Sequence, residues 1–294
     1  MSFFPFDAKL TKHERHGGLH VRGWFRGTGD WLVIFLLGAA ASSALGANTK
    51  IVLTGSSTVA PLAAEIGKLY EAKHPGLRVD VQSGGSSRGV ADARQGLADV
   101  GMVSRALSPD EKDLNAFTIA RDGVCIILHK SNPVTKLEDQ QVVDIYTGKL
   151  TNWKQVGGND GPITVVNKAE GRSTLELFVH YFKLKPSQIK AQVVIGDNQQ
   201  GIKTVAGNPN AIGYVSIGSA EYDAKSGVAI KLLAVGGVEA SMENVRTGRF
   251  PLSRPLNLVT KTKPAGAVKD FLDFAQSREV NGIVKEQYFV PIAQ

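Results

Sequence analysis

The stretch EGRST at residues 170–174 decides how the rest of this sequence is read. Four apolar residues follow it at the spacing i, i+3, i+4 and i+7: Leu175, Phe178, Val179 and Phe182. That spacing predicts an α-helix with one buried face. Ser173 or Thr174 is then the expected N-cap, and Gly171 allows a tight turn into the helix.

A helix N-terminus leaves backbone N–H groups unpaired and carries partial positive charge, so it attracts anions. Here the guanidinium of Arg172 lies on the same turn. Two further Gly/Ser turns stand between a predicted strand and a predicted helix, at residues 55–58 (GSST) and 84–89 (GGSSRG). We therefore hypothesise that three such turns converge on a single oxyanion.

The N-terminal segment has the pattern of a secretory signal. Five basic residues precede the apolar run at residues 31–37 (WLVIFLL), and small residues follow it. The run is shorter than the roughly 20 residues that a membrane span needs. We expect a signal peptide at residues 1–46, cleaved after Gly46 or Ala47; an uncleaved anchor and a true start near Val21 are the alternatives. No cysteine follows the run, which predicts a soluble periplasmic protein and not a lipoprotein.

Composition excludes several other classes. The chain has 294 residues, 43% of them hydrophobic, which is enough for two medium-sized domains with their own cores. Its single cysteine, Cys125, lies in an apolar run and excludes both an internal disulfide and a cysteine-based metal site. The net charge of +7 is dispersed, without the basic–aromatic pattern of nucleic-acid binding. We expect neither a metal nor an organic cofactor.

Predicted strands and helices alternate along the chain, which indicates an α/β architecture. Strands are expected at residues 51–54, 124–129, 163–166 and 256–259. A capping box at Ser108 predicts another helix. Each Gly/Ser turn lies where a strand ends and a helix begins, which is where open α/β sheets bind their ligands. Two lobes of about 120 residues suit this length.

Several collinear stretches resemble the phosphate-binding subunits of phosphate ABC transporters. They are GSSTVAPL (55–62), SGGSSRGV (83–90), ADVGMVSRALSPDE (98–111), IYTGKLTNW (145–153), NPNAIGYV (208–215) and FPLSRPLNLV (250–259). The resemblance covers residues 50–294 in the right order, which is far more specific than any one glycine-rich loop.

The resemblance implies a two-lobed periplasmic binding protein fold (type II), with mixed sheets, helices on both faces and a ligand cleft between the lobes. Lobe I would comprise residues 48–129 and 255–294, and lobe II residues 130–254. The crossovers would lie near residues 124–129 and 253–258. The implied function is capture of inorganic phosphate by a monomeric, non-enzymatic protein. It would deliver the ion to ABC transporter permease subunits in the inner membrane.

The residues that match the family's phosphate-binding turns are candidate ligands. Together with two arginines chosen for their charge, they are Ser56, Ser57, Thr58, Ser86, Ser87, Arg105, Arg172, Ser173 and Thr174. Arg172 departs from the pattern, because the family usually has a small residue there. Some family members place a proton-accepting aspartate where this chain has Ser104-Arg105. Glu170 or Asp99 would have to supply that acceptor here.

Other interpretations stay open at this point. The G-x-S-x-G spacing around Ser87 is that of a serine hydrolase, with His129 or His180 as the base. Sulfate or molybdate could replace phosphate, and a secreted scaffold could use the anion for signalling or adhesion.

Several of the singled-out side chains also have a purely structural interpretation. Arg172 could pair with Glu176 at i+4 on a solvated face. Arg105 could be a plain surface charge, and Arg88 is expected to be solvated. Both histidines are expected to be structural, and Trp153 to serve packing.

Overall fold

The computed structural model describes residues 49–292, and the predicted signal peptide at residues 1–46 lies outside them. The strands are β1 (Thr49–Gly55), β2 (Leu77–Ser83), β3 (Val100–Val103), β4 (Asn115–His129), β5 (Thr164–Lys168), β6 (Val193–Ile195), β7 (Ala211–Ser216), β8 (Ile230–Leu233), β9 (Ser253–Thr260) and β10 (Val290–Pro291). The helices are α1 (Val59–Lys73), α2 (Ser86–Gln95), α3 (Asp139–Tyr146), α4 (Ser173–Tyr181), α5 (Asn198–Ala206), α6 (Ile217–Lys225), α7 (Met242–Arg246), α8 (Gly266–Ala275) and α9 (Asn281–Glu286). Among these residues every helix is too short or too polar to cross a lipid bilayer.

The strands form a mixed sheet in the order β2-β1-β3-β9-β4-β7-β5-β6, and β8 and β10 both pair with β4. The β1–β2 and β1–β3 pairs are parallel, and so are β5–β6 and β5–β7. β9 runs antiparallel to β3 and β4. The long strand β4 joins the two halves, because it pairs with β9 up to Gly123 and with β7 from Val124 onward.

Two large hydrophobic clusters lie on either side of that change of partner. The first cluster takes residues from 51–120 and 256–289. The second cluster takes residues from 124–252 together with Val290, and in it the rings of Phe178 and Tyr214 stack with centroids 3.9 Å apart. Separate clusters indicate two cores, since each sheet half buries its own apolar face. The mixed α/β architecture predicted from the sequence is confirmed.

Most predicted elements are present. The strands predicted at residues 124–129 and 256–259 lie within β4 and β9. The helix predicted after Ser108 is wrong, because only a three-residue 3₁₀ turn, Pro109–Glu111, follows the capping box. The first half of β4 and helices α6 and α7 were not predicted; polar residues interrupt their apolar pattern, and tertiary contacts stabilise them.

The three Gly/Ser turns follow the ends of β1, β2 and β5, as predicted. The N-cap of α4 is Arg172, not Ser173 or Thr174, so both hydroxyl residues lie in the first helical turn. Gly85 shows why glycine is needed beside this helix. It has φ +101°, and a Cβ there would lie 2.7 Å from the carbonyl oxygen of Gly171. The starts of α2 and α4 are therefore in backbone contact.

Candidate functional site

A buried arginine that the sequence did not single out lies where the three turns meet. Arg254, on β9, is 3% exposed. One terminal nitrogen donates to Thr174 Oγ1 at 3.0 Å and to Ser104 Oγ at 3.4 Å. The other donates to Thr58 Oγ1 at 3.2 Å. Thr58 precedes α1, Ser104 follows β3 and Thr174 lies in α4, so one guanidinium connects three separate segments.

The charge of Arg254 is balanced by Asp122 on the neighbouring strand. The two residues are directly opposite each other in the antiparallel β4–β9 register. Asp122 Oδ2 accepts from Arg254 at 3.1 and 2.8 Å, and Oδ1 accepts from the backbone N–H of Gly218 at 3.3 Å. Asp122 is fully buried, so this ion pair fixes the guanidinium without solvent screening. We call Thr58, Ser104, Asp122, Thr174 and Arg254 the central polar cluster.

The cluster presents hydroxyl protons to an acceptor. A hydroxyl has one proton and two lone pairs. Thr58, Ser104 and Thr174 each accept from Arg254, and each keeps its own proton to donate elsewhere. The Oγ of Ser173, beside Thr174, is buried without a partner among the described residues. Convergent hydroxyls, a guanidinium and the N-termini of α1 and α4 form a set of donors suited to an oxyanion.

A buried amide and a buried lysine extend this set, and neither was predicted. Asn198, the first residue of α5, donates from Nδ2 to Thr58 Oγ1 at 3.1 Å. Its Oδ1 accepts from Lys168 Nζ at 3.0 Å. Lys168 ends β5 and is 2% exposed. The pKa of Lys168 is lowered to about 7, mainly by burial; the charge of Asp197 opposes the shift, and those of Arg254 and Arg172 add to it.

The predicted serines and threonines divide into two groups. Ser56, Thr58, Ser86, Ser173 and Thr174 are all buried around the central polar cluster. Ser56 Oγ accepts from the backbone N–H groups of Thr58 and Val59, and Ser86 Oγ accepts from that of Ser104. Ser57 is only half-buried, and Ser87 is exposed.

The guanidinium of Arg105 bonds to two glutamates and makes no hydrogen bond with the residues of the central polar cluster. Its guanidinium donates to Glu111 at 2.6 and 2.8 Å and to Glu176 at 2.6 Å. Ser87 Oγ also donates to Glu176, at 3.4 Å. Burial raises the pKa of Glu111, but hydrogen bonds from Arg105 and from the backbone N–H of Ser108 outweigh it and bring the pKa to about 2. We call Ser87, Arg105, Glu111 and Glu176 the rim group. With two carboxylates in contact, Arg105 has less positive charge to offer an anion than Arg254 has.

The positive charge of Arg172 has no ion-pair partner among the described residues. Its side chain is half-buried between Gly85 and Gly196, and it makes no hydrogen bond or ion pair within residues 49–292. The proposed i+4 pair with Glu176 is wrong, because Glu176 bonds to Arg105 instead. Arg88 forms an exposed pair with Asp92 at 3.0 Å, as expected for a solvated charge.

The carboxylates named as proton acceptors do not reach the cluster. Asp99 accepts from the backbone N–H of Val52 at 2.8 Å, and Glu170 is exposed. The carboxylate that does lie there is Asp122, which Arg254 occupies. One sequence signal was available for the three charged residues that were missed: Asp122, Lys168 and Arg254 each lie two positions from a predicted apolar strand. Such residues are buried only when they are paired or functional.

The described residues contain no serine–histidine pair around Ser87. Its hydroxyl contacts Glu176, while the ring of His129 bonds to Ser131 and His180 is exposed. A nucleophile elbow requires a base within hydrogen-bond reach. The G-x-S-x-G spacing coincides with the start of α2.

The chain is similar to several known proteins. A PBP superfamily domain matches residues 40–279. The phosphate-binding protein PstS of Bacillus subtilis is 28% identical over 252 residues, covering 84% of this chain and 82% of that protein. A solved structure from Clostridium perfringens, described as a phosphate ABC transporter substrate-binding protein with bound phosphate, is 35% identical. It has a TM-score of 0.76, and the match covers 83% of this chain and 100% of that one. An ABC-type phosphate transport receptor from Vibrio cholerae is 31% identical with a TM-score of 0.68, over 82% of this chain and 99% of that one.

Proposed function

This chain belongs to the PBP superfamily and, within it, to the substrate-binding proteins of phosphate ABC transporters; from this premise we propose that it captures inorganic phosphate and delivers it to a permease. One observation carries the proposal: three hydroxyls from separate segments accept from Arg254, which leaves the proton of each hydroxyl available for a shared acceptor. Burying a phosphate dianion without such donors would be prohibitive.

We further propose how the site is built. Ser56, Ser57, Thr58, Ser86, Ser173 and Thr174 would supply hydroxyl and backbone donors, and Ser104 joins them as a ligand. Arg254 would supply the central positive charge, and Arg172 a second one at the cleft mouth. Ser87 and Arg105 would act from the rim, where they hold the two sides of the cleft together. A micromolar affinity requires about −8 kcal/mol, which roughly ten hydrogen bonds can provide when they are preorganised.

The lobe boundaries also form part of the proposal. Lobe I would comprise residues 48–129 and 255–294, and lobe II residues 130–254. The two hydrophobic clusters, which divide within β4 and near the start of β9, support this division. Closing the lobes around phosphate would turn occupancy into a shape that a permease can recognise.

Cellular context follows from the same reading. We place the protein in the periplasm, exported by a cleaved signal peptide without a lipid anchor. It would act there as a monomer, without metal or cofactor and without catalysis.

Calorimetry with phosphate, sulfate and molybdate tests the proposal. We expect the purified protein to bind phosphate, and Thr174→Val to weaken binding by about 1.5–3 kcal/mol, the range for hydrogen bonds to charged groups. Thr174→Ser, which keeps the hydroxyl, should retain most of the affinity, and Thr204→Val on the outer part of α5 is the matched control. Tighter binding of sulfate or molybdate would make this a receptor for another oxyanion.

A further inference from the structure

Lys168 differs from every other lysine in the described part of the chain because it alone is buried. It stands at the last position of β5, where its backbone N–H donates to the hydroxyl of Tyr214 at 3.3 Å. None of the ion pairs within residues 49–292 includes it. An ammonium has three N–H donors, and a buried one without a counter-ion is strongly disfavoured. This lysine therefore needs an explanation.

A single amide connects Lys168 to the central polar cluster. Asn198 Oδ1 accepts from Lys168 Nζ at 3.0 Å and from the backbone N–H of Ser216 at 3.4 Å. Because the backbone N–H of Ser216 can only donate, it fixes which side of the amide is oxygen. The Nδ2 of Asn198 then faces Thr58 Oγ1, at 3.1 Å. Thr58 Oγ1 thus accepts from two sides, from Asn198 and from Arg254, and the amide of Asn198 connects Lys168 to the central polar cluster.

The charges around Lys168 do not supply a partner in contact. Four ionisable groups face it: Asp197 at the start of α5, Arg254 on β9, Arg172 before α4 and Tyr214 on β7. Asp197 is engaged as the N-cap of α5, where it accepts from the backbone N–H of Gln200 at 2.8 Å. Asp122, the other nearby carboxylate, is occupied by Arg254. No carboxylate therefore contacts Lys168 among the described residues, and the charge of Asp197 offsets only part of the effect of burial.

We propose, on the basis of the proposed function, that Lys168 couples phosphate binding to proton uptake. When a phosphate dianion binds, the Nζ of Lys168 takes up a proton. In the unbound protein above neutral pH the side chain is a neutral amine. The bound dianion supplies the missing counter-charge and stabilises the ammonium. One N–H bond forms with a proton taken from solvent, and no other bond changes.

The direction of the pH dependence follows. The pKa of Lys168 is about 7 in the unbound protein, where burial is the main cause, and negative charge nearby raises it. Above about pH 7 binding must take up a proton, so affinity falls as pH rises, by up to tenfold per pH unit from this group. Below that pH the lysine is already charged and contributes no slope. An arginine in its place stays charged throughout and removes the slope.

The test is calorimetry with inorganic phosphate on the full-length protein from about pH 6 to about pH 9, in buffers of different ionisation enthalpy. Comparing variants cancels the titration of phosphate itself. At about pH 8 the wild type should take up more protons per phosphate than Lys168→Arg, by nearly one. The affinity ratio of wild type to Lys168→Arg should fall about tenfold per pH unit above about pH 7. Lys154→Arg, at an exposed lysine, is the matched control and should behave as wild type.

The outcomes separate the two proposals. Equal proton uptake by wild type and Lys168→Arg, with phosphate binding retained, refutes the role of Lys168 and leaves the proposed function standing. If Lys168→Arg does not fold, Lys168→Met serves in its place, because it cannot take up the proton either. A wild-type protein that binds no phosphate at any pH overturns the proposed function, and this inference with it.

Discussion

The central polar cluster and the rim group each contain an arginine that bridges the two sides of the molecule. Arg254 donates two hydrogen bonds to a single carboxylate, Asp122, and the others to hydroxyls. Arg105 is held by Glu111 on one side and Glu176 on the other. The side chain of Arg254 is 1% exposed, whereas that of Arg105 is 16% exposed and that of its partner Glu176 is 39% exposed.

The comparison shows that charge alone does not make an anion site. An arginine between two carboxylates carries no net attraction for a further anion, and solvent screens what remains. When an arginine is bound by one carboxylate and several hydroxyls, those hydroxyls accept from it and keep their own protons free to donate to an anion. Burial then strengthens each of those bonds. The central polar cluster is therefore suited to binding, and the rim group to holding the two sides closed.

Arg254→Ala should have the largest effect. It leaves Asp122 buried without a partner, which is expected to lower the free energy of unfolding by about 3–5 kcal/mol in denaturant titration. Phosphate binding should weaken by at least 100-fold in calorimetry, about 2.7 kcal/mol. The double variant Arg254→Met with Asp122→Asn separates the effects, since it should recover stability without recovering binding. If Arg254→Ala binds like the wild type, the comparison between centre and rim fails.

Lys168→Met should change how stability depends on pH. In the folded protein the pKa of Lys168 is about 7, mainly through burial, while an unfolded lysine titrates near 10.5. Between these values the unfolded state binds one more proton, so stability rises with pH by up to about 1.4 kcal/mol per unit. Urea titrations of the phosphate-free protein at about pH 7 and about pH 9 should show this rise in wild type and not in Lys168→Met. Parallel profiles would contradict it.

Arg172→Ala tests the charge that has no partner among the described residues. We expect phosphate affinity to fall by about 1.5 kcal/mol, the low end for charge-assisted bonds, because the side chain is only half-buried. Calorimetry at two salt concentrations provides the measurement, and the loss should shrink at high salt. Arg88→Ala, which removes a neighbouring arginine already paired with Asp92, is the control and should leave affinity unchanged. A change within error would take Arg172 out of the site.

Glu176→Gln should have the smallest effect. It removes one contact across the rim and leaves Arg105 paired with Glu111. A partly exposed ion pair is worth roughly 0–1 kcal/mol, so affinity should fall by no more than about fivefold, mostly through faster release. Stopped-flow displacement would measure that rate, with Glu243→Gln as the control at an exposed pair outside the rim group. An effect equal to that of Arg254→Ala would reverse the ranking of centre and rim.

The sequence by itself determined the α/β architecture and the positions of the Gly/Ser turns. Helix starts, apolar stripes and strand runs are local patterns, and each is set by neighbours a few residues away. Thr58, Ser86 and Thr174 could be named for that reason. Where the pattern is broken by polar residues, as in the first half of β4, local reasoning missed the strand.

Only the tertiary structure decided which charges lie at the candidate site. Asp122 and Arg254 are separated by 132 positions in the chain and meet because β4 and β9 pair in one particular register. Arg105 is paired with Glu111 and Glu176 because folding brings these two carboxylates to it. The energy of a charge depends on its burial and on its partners, and both are properties of the folded chain that no short stretch of sequence contains.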